Sequence, residues 1–368
     1  MNDINRIERL MQSKITRRTA LFTAGYGLAI STALWGCAKS DTAQQQTSNS
    51  PQASASPQAN VSTDGKVFHV VRSKQLTALA ALEKRGTLEK ALEPLGFAVS
   101  WDEYLAGPQQ LEALNAGSLD LALTAESPPV FSQAAGAPLV YLAAVPVNGR
   151  LISLLVPTTS TAKSIADLKG KRIAFQKASI GHYLTVKALQ REGLELSDVE
   201  SVFLPPPDAA SAFASGSVDA WFIWEPFVTR TVQKKIGRVL LDGGNGLRDT
   251  TNFYSTRREF LEKHPEVLKV FFEELEKTEL WAKANPKAIT ELLAPVTQLD
   301  PASLKVMYDK TDEWGVKPIT SQIITKQQEV ADLWFSLNLI PKKVDVKQGF
   351  LTDAEYAKVI PEIILAKA

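Results

Sequence analysis

The sequence predicts an α/β protein of two lobes, and three observations carry that prediction. Its 368 residues exceed what one hydrophobic core usually organises. From Val67 onward, short runs rich in β-branched residues alternate with helix-period segments, as in folds built on mostly parallel sheets. A run from Asn252 to Thr256 returns to the first lobe after a second group of strands, so the chain crosses between lobes twice. With 45% hydrophobic and 22% charged residues the body reads as ordinary globular protein. A net charge of +1 and no basic stripe exclude a nucleic-acid binder that relies on a positive field.

The N-terminus is a different kind of sequence. Arg6, Arg9, Lys14, Arg17 and Arg18 precede an apolar run from Ala20 to Trp35, the layout of a signal peptide. Thr16-Arg17-Arg18 resembles a twin-arginine signal, although Ala20 stands where that pattern often has Phe. The apolar run stops at Leu34-Trp35-Gly36-Cys37, which resembles the lipobox of bacterial lipoproteins and makes Cys37 the expected lipidation site. The alternative is a short membrane anchor, for which the run falls below the ~20 residues that a spanning helix needs. Residues 38–66 are Gln, Ser, Thr, Ala, Asn and Pro with almost no large apolar side chain, a composition that cannot order itself. The expected organisation is a signal peptide at 1–36 and a lipidated tether at 37–65. Lobe I then takes 66–155 plus 247–368, and lobe II takes 156–246.

Within the body the elements follow in turn. Val67–Val71 is the first strand, Gln75–Arg85 a helix with Leu76, Leu79 and Leu82 on one face, and Gly86 its stop. Phe97–Trp101 alternates as a strand, Gly107-Pro108 opens a helix that Gly117 ends, and Leu119–Thr124 is a third strand. Leu139–Val145 and Leu151–Val156 are two further strands, and one from Arg172 to Phe175 follows. The second lobe continues with a helix at 180–192, a strand at 201–204, a helix at 209–214 and strands at 220–224 and 239–241. Gly243-Gly244-Asn245-Gly246 reads as a turn cluster, since it lacks the GxGxxG spacing that opens a nucleotide-binding helix. After Arg257 the chain is mainly amphipathic helix, with Phe260, Leu261, Val267, Leu268, Phe271, Phe272 and Leu275 on one face.

Two lobes joined by two crossings place a cleft at the carboxyl ends of strands from both sheets, where open α/β sheets bind ligands. The loops there repeat one device, a strand that ends in a polar turn at a helix start: Gly107-Pro108, Glu126-Ser127-Pro128-Pro129, Ala178-Ser179-Ile180-Gly181 and Pro207-Asp208-Ala209. Unpaired backbone N–H groups converging on one cleft favour an anionic oxygen group. Ser127, Ser179 and Asp208 each have a second reading, as helix caps only.

Residues 66 to about 260 resemble the periplasmic aliphatic sulfonate-binding proteins, within the wider sulfonate, nitrate and taurine group of transporter receptors. The phrases that carry the resemblance are Arg85-Gly86-Thr87-Leu88-Glu89-Lys90, Ala106-Gly107-Pro108-Gln109, Glu112–Asp120, Pro128-Pro129-Val130-Phe131, Asp167-Leu168-Lys169-Gly170-Lys171, Pro207-Asp208-Ala209, Gly216–Trp221 and Ile223-Trp224-Glu225-Pro226. It implies a two-lobed periplasmic-binding-protein-like (type II) fold, a small organic anion held between the lobes, and delivery to a permease of an ABC importer. It also implies ligand contacts at Ser73, Ser127, Ser179 with Gly181 and His182, Asp208, and Trp224 with Glu225. Four pocket phrases depart from the family's common wording: Ser73 replaces Gln, Ala125-Glu126-Ser127 stands for Gly-Asp, Ala178-Ser179 for Gly-Ser, and Trp224-Glu225-Pro226 for Trp-Asp-Pro.

Trp224 reads either as an apolar wall for an alkyl chain or as lobe packing. Glu225 reads as a partner for a hydroxyl or ammonium, or as the cap of the helix after Pro226. His182 reads as an anion donor or as a structural side chain. The three histidines are scattered and Cys37 is assigned to lipid, so no Cys-His dyad or HExxH site is available, and no P-loop occurs. The expectation is therefore a binding protein without catalytic residues, metal or cofactor, monomeric, exported and membrane-tethered. The alternatives are the same clamp for nitrate, taurine, a sulfate ester or a pyrimidine precursor, or a pyrimidine-precursor synthesis enzyme on the same fold.

Overall fold

The computed structural model describes residues 66–311 and 314–367. The expected signal peptide, the lipid site at Cys37 and the tether lie outside the described residues.

Two sheets organise the described body. In the first, β1 (Lys66–Val71) pairs in parallel with β2 (Phe97–Asp102). β10 (Asn252–Arg257) runs antiparallel between β3 (Ala122–Thr124) and β4 (Leu139–Val145). A parallel bridge between Val70 and Leu121 joins the two parts, and the Val71 N–H donates to the Leu121 carbonyl at 3.0 Å. The second sheet has five strands in the order β7 (Glu200–Phe203), β6 (Arg172–Phe175), β8 (Ala220–Trp224), β5 (Ile152–Pro157) and β9 (Gly237–Asp242).

Both sheets follow one plan: second strand, first strand, third strand, crossing strand, fourth strand. The crossing strands β10 and β5 run against the other four, which accounts for every antiparallel pair. The expected bias toward parallel strands thus takes the form of one reversed strand per sheet. β5 enters the second sheet at Ile152, a few residues before the expected lobe boundary at 155/156.

Among the described residues, nine helices of eight residues or more are numbered α1 (Ala78–Arg85), α2 (Gly107–Ala116), α3 (Ser127–Ala134), α4 (Ile180–Arg191), α5 (Pro206–Ala214), α6 (Pro265–Ala284), α7 (Pro286–Thr297), α8 (Pro301–Asp309) and α9 (Ser321–Ser336). Local chemistry fixes their starts. The Thr77 side chain accepts the Ala80 N–H, so α1 begins at Ala78 and not at Gln75. α5 starts at Pro206 instead of Ala209, because proline suits the first turn, and this puts Asp208 inside the helix. α3 starts at Ser127 after Glu126, so Ser127 is not a cap.

The core of the first sheet takes one face of α6, where Val267, Leu268, Phe271, Phe272 and Leu275 are buried together with Phe68, Leu79 and Tyr254. α9 packs elsewhere. Its Trp334 sits 4.7 Å from the His182 ring and 6.0 Å from Tyr183 on α4, and 5.3 Å from Phe131 on α3. The two connections between the sheets touch where they pass. The Gly243 N–H donates to the Gly149 carbonyl at 3.2 Å and to the Ile152 carbonyl at 2.9 Å. A Cβ on Gly149 would collide with the Gly243 carbonyl, and one on Gly243 would come within 2.7 Å of the Gly149 oxygen. The glycine turn cluster is therefore a place of close backbone approach at the crossing.

Candidate functional site

A cleft of about 520 Å³ opens at the carboxyl ends of strands from both sheets. The first sheet lines it with residues 71–79, Gly107, Thr124, Ala125 and Pro128, and the second with Ser179, Ile180, Pro206, Pro207 and Trp224 to Phe227. The starts of α1 to α5 all border this space. Each turns the positive end of its dipole to this space, which favours an anionic group, although Pro108, Pro128, Pro129, Pro206 and Pro207 carry no N–H and side-chain caps accept those of Ala80 and Gly181.

Of the site residues expected from the sequence, four reach the cleft. Ser73 lines it, and its Oγ accepts the Thr77 hydroxyl at 3.1 Å. Ser179 lines it while capping α4: its Oγ accepts the Gly181 N–H at 3.1 Å and donates to the Gln176 carbonyl at 2.7 Å. Trp224 lines it at the end of β8, partly exposed, against apolar clusters on both sides of the second sheet. Glu225 lines it too, and caps the helix Phe227–Gln233 by accepting the Thr229 N–H at 3.0 Å and the Thr229 hydroxyl at 2.9 Å. Burial raises the Glu225 carboxyl, an effect that those two hydrogen bonds oppose.

The other four stand back. Ser127 is fully buried behind Pro128, and its Oγ has no partner among the described residues. Gly181 lies under the loop, where an added Cβ would come within 3.0 Å of the Phe222 carbonyl. Asp208 is exposed on α5 and does not line the cleft. His182 is buried between Phe175, stacked at 5.0 Å, and Trp334. Burial, with Lys177 adding to it, lowers His182 to about 3, so the ring is neutral. Its Nδ1 accepts the Ala178 N–H at 3.3 Å, which makes it a support for the 178–179 turn. That turn is strained: Ala178 has φ +61, and it occupies the position where the family phrase has Gly.

Sequence reasoning missed Arg248, which borders the cleft. Its guanidinium is 1% exposed and pairs at 2.9 Å with the fully buried Glu126, while its Nη2 also donates to Asn252 at 2.7 Å. The Nε of Arg248 and the Oε1 of Glu126 have no partner among the described residues. No local motif marks this pair, because 122 positions separate its members. The wall from α6 to α8 was also missed: Glu279, Val296, Gln298, Met307, Thr311, Trp314 and Gly315 line the same space.

The lobes are bridged across that wall. Arg230, on the helix Phe227–Gln233, donates twice to the Thr297 carbonyl at the end of α7, through Nε at 3.0 Å and through Nη2. Gln233 donates to Ser303 Oγ at 2.5 Å and to Asp300 at 3.4 Å at the start of α8. On the connection that leads into β5, Asn148 donates to the Lys310 carbonyl at 2.5 Å, a contact within the first lobe.

Two sheets of one plan, two crossings and a cleft walled by both define a two-lobed solute-binding protein of the periplasmic type. Residues 96–289 match the NMT1/THI5-like family. An aliphatic sulfonates-binding protein of Escherichia coli (strain K12) is 38% identical over 250 residues, covering 68% of this chain and 78% of that relative. One of Bacillus subtilis (strain 168) is 33% identical over 274 residues, covering 74% and 82%. The chain therefore belongs to the NMT1/THI5-like family, in its group of aliphatic sulfonate-binding proteins. Among solved structures it is similar to the alkanesulfonate-binding protein SsuA of Xanthomonas axonopodis pv. citri bound to MOPS. The TM-score is 0.74 at 34% identity, covering 77% of this chain and 98% of that one. The periplasmic aliphatic sulphonate binding protein SsuA of Escherichia coli gives a TM-score of 0.69 at 34% identity, covering 78% and 93%. The desulfurization enzyme DSZB, at 16% identity and a TM-score of 0.57, shares the fold alone.

Proposed function

We propose that this protein is the solute receptor of an ABC importer and captures an aliphatic sulfonate by closing two lobes on it. The observation that carries the reading is the convergence of five helix starts and buried Arg248 on one cleft, in a chain with relatives named for sulfonate binding. Ser73, Ser179, Trp224 and Glu225 are the proposed ligand contacts. Ser73 precedes the Thr77 cap of α1 and Ser179 caps α4, so both hydroxyls lie at the positive end of a helix dipole. Trp224 offers an apolar face to the carbon chain.

Capture without chemical change fits relatives that are named as binding proteins and a cleft in which the Glu225 carboxylate is engaged in capping. A ligand touching both lobes shifts the open–closed equilibrium by its differential affinity, and a permease can then read the closed shape. The receptor works outside the cytoplasmic membrane, exported by the N-terminal signal and held by lipid on Cys37, as a monomer free to close.

A thermal-shift screen of the protein against alkanesulfonates, taurine, sulfate, nitrate, sulfate esters and pyrimidine precursors tests this reading. A ligand at ~100 times its dissociation constant adds about 2.7 kcal/mol and moves the midpoint by a few degrees. A sulfonate shift is the expected result. Silence from sulfonates with a shift from nitrate or a pyrimidine keeps the clamp and discards the ligand.

A further inference from the structure

The two lobes meet along two seams of opposite character. One is apolar: a single buried cluster runs from Val130 on α3 through Leu184 on α4 to Val330 and Trp334 on α9. The crossing glycines lie beside it, since a Cβ on Gly243 would meet the Leu184 side chain at 3.2 Å. Parting this seam costs free energy in proportion to the apolar area it exposes.

The other seam is small and polar, the bridge from the helix Phe227–Gln233 to α7 and α8. Arg230 donates to the Thr297 carbonyl through Nε at 3.0 Å and through Nη2. That carbonyl is the last of α7, which ends where Gln298 turns into the left-handed region at φ +53, so the guanidinium caps the negative end of a helix that belongs to the other lobe. Gln233 donates to Ser303 Oγ at 2.5 Å and to Asp300 at 3.4 Å. Asp300 fixes Ser303 in turn, accepting its N–H at 2.9 Å and its hydroxyl at 2.6 Å. Gln233, Asp300 and Ser303 all stand outside the lining of the cleft.

We propose that this polar seam is a latch, in which Arg230 and Gln233 hold the lobes together and so set how firmly a ligand between them is retained. The inference rests on the receptor reading above. Every donor and acceptor in the latch belongs to the chain, so it favours the closed form by the same amount for any ligand. A receptor whose closed form is more populated binds more tightly in proportion, until closure is complete. Opening at the latch exposes only polar groups that water can serve, so this seam yields first while the apolar one acts as the hinge. Loss of the latch therefore speeds escape of the ligand more than it slows entry.

Small-angle scattering and stopped-flow tryptophan fluorescence of the intact protein test the latch, with the variants Gln233→Ala, Ser303→Ala and Arg230→Met. Without ligand each variant has a larger radius of gyration than wild type, and saturating butanesulfonate restores the wild-type value. The dissociation constant rises about threefold in Gln233→Ala and in Ser303→Ala, and about tenfold in Arg230→Met, whose bonds are charge-assisted. Most of each change lies in the dissociation rate. The double variant of Gln233 and Ser303 stays near threefold, because both changes remove one bridge, and multiplied losses would contradict it. Wild-type scattering in all three single variants overturns the latch. So does weaker binding in Arg230→Met alone, since Arg230 lines the cleft and would then act on the ligand directly. If no sulfonate binds, the receptor reading falls and scattering still decides the latch. Melting of each variant reports whether it folds; Gln233, which is exposed, keeps the test open if Arg230→Met does not.

Discussion

The two walls of the cleft are made by different means. One consists of loops at the ends of strands, and its chemistry is mostly backbone: helix starts, the Ser179 cap and the strained Ala178 turn, with the Arg248–Glu126 pair behind it. The other is the flank of α6 to α8, and its chemistry is side-chain shape: Val296, Met307 and Trp314. The first wall holds a charge in position at the cost of burying polar groups. The second limits what else the ligand carries. Changes in the first wall should therefore disturb stability and all ligands together, and changes in the second should disturb only the larger ligands.

The largest expected effect is at the buried pair. Arg248→Met leaves Glu126 uncompensated in a site where both side chains are at most 1% exposed, a loss of about 3–5 kcal/mol. The double variant with Glu126→Gln recovers part of that loss. Chemical denaturation of the two measures it, and additive losses would contradict a coupled pair.

Next comes pH. Glu279 keeps its proton in the folded state up to about 8 but releases it near 4.5 when unfolded. Between those values folding holds the extra proton, so this contribution is full below about 4.5 and is lost as pH rises toward 8. The slope reaches at most ~1.4 kcal/mol per pH unit. Glu279→Gln removes the slope, and the wild-type and variant stability curves separate on the alkaline side. Parallel curves from pH 5 to 9 would place the proton elsewhere.

Ser179→Ala deletes a cap at a site 2% exposed and costs about 1 kcal/mol, with weaker binding of short and long sulfonates alike. Unchanged affinity would detach Ser179 from the head group. The smallest effect is at Ala178. Glycine there relieves the left-handed backbone but adds freedom to the unfolded chain, so Ala178→Gly changes stability by less than about 1 kcal/mol, toward stabilisation. A clear loss in melting temperature would show that the methyl group itself is needed.

The sequence made the first wall readable because its signals are local. Alternating strands, glycine stops and prolines at helix starts placed most of the sheet-forming elements within a few residues, while it was the family resemblance that pointed to Ser73, Ser179, Trp224 and Glu225, which line the cleft. The errors came where one residue type has two uses. Ser127 looks like a cap but follows Glu126 into the helix, and Asp208 is carried inside α5 by Pro206. His182 follows a glycine at a helix start, as a ligand residue would, yet its partners Trp334 and Phe175 lie far along the chain or on the preceding strand. The second wall was legible as amphipathic helices and no further. Periodicity says which face is buried, not that the ends of α7 and α8 reach back to a cleft built two hundred residues earlier. Arg248 and Glu126 fail for the same reason.

The central claim is that a sulfonate sits in this cleft against Trp224. The direct measurement is the melting midpoint of wild type and Trp224→Ala with and without butanesulfonate at millimolar concentration. The account predicts a rise of a few degrees for wild type and a much smaller one for the variant, each measured from its own ligand-free midpoint, which the lost packing of Trp224 lowers in the variant. An equal rise in both proteins, or none in wild type, would contradict it.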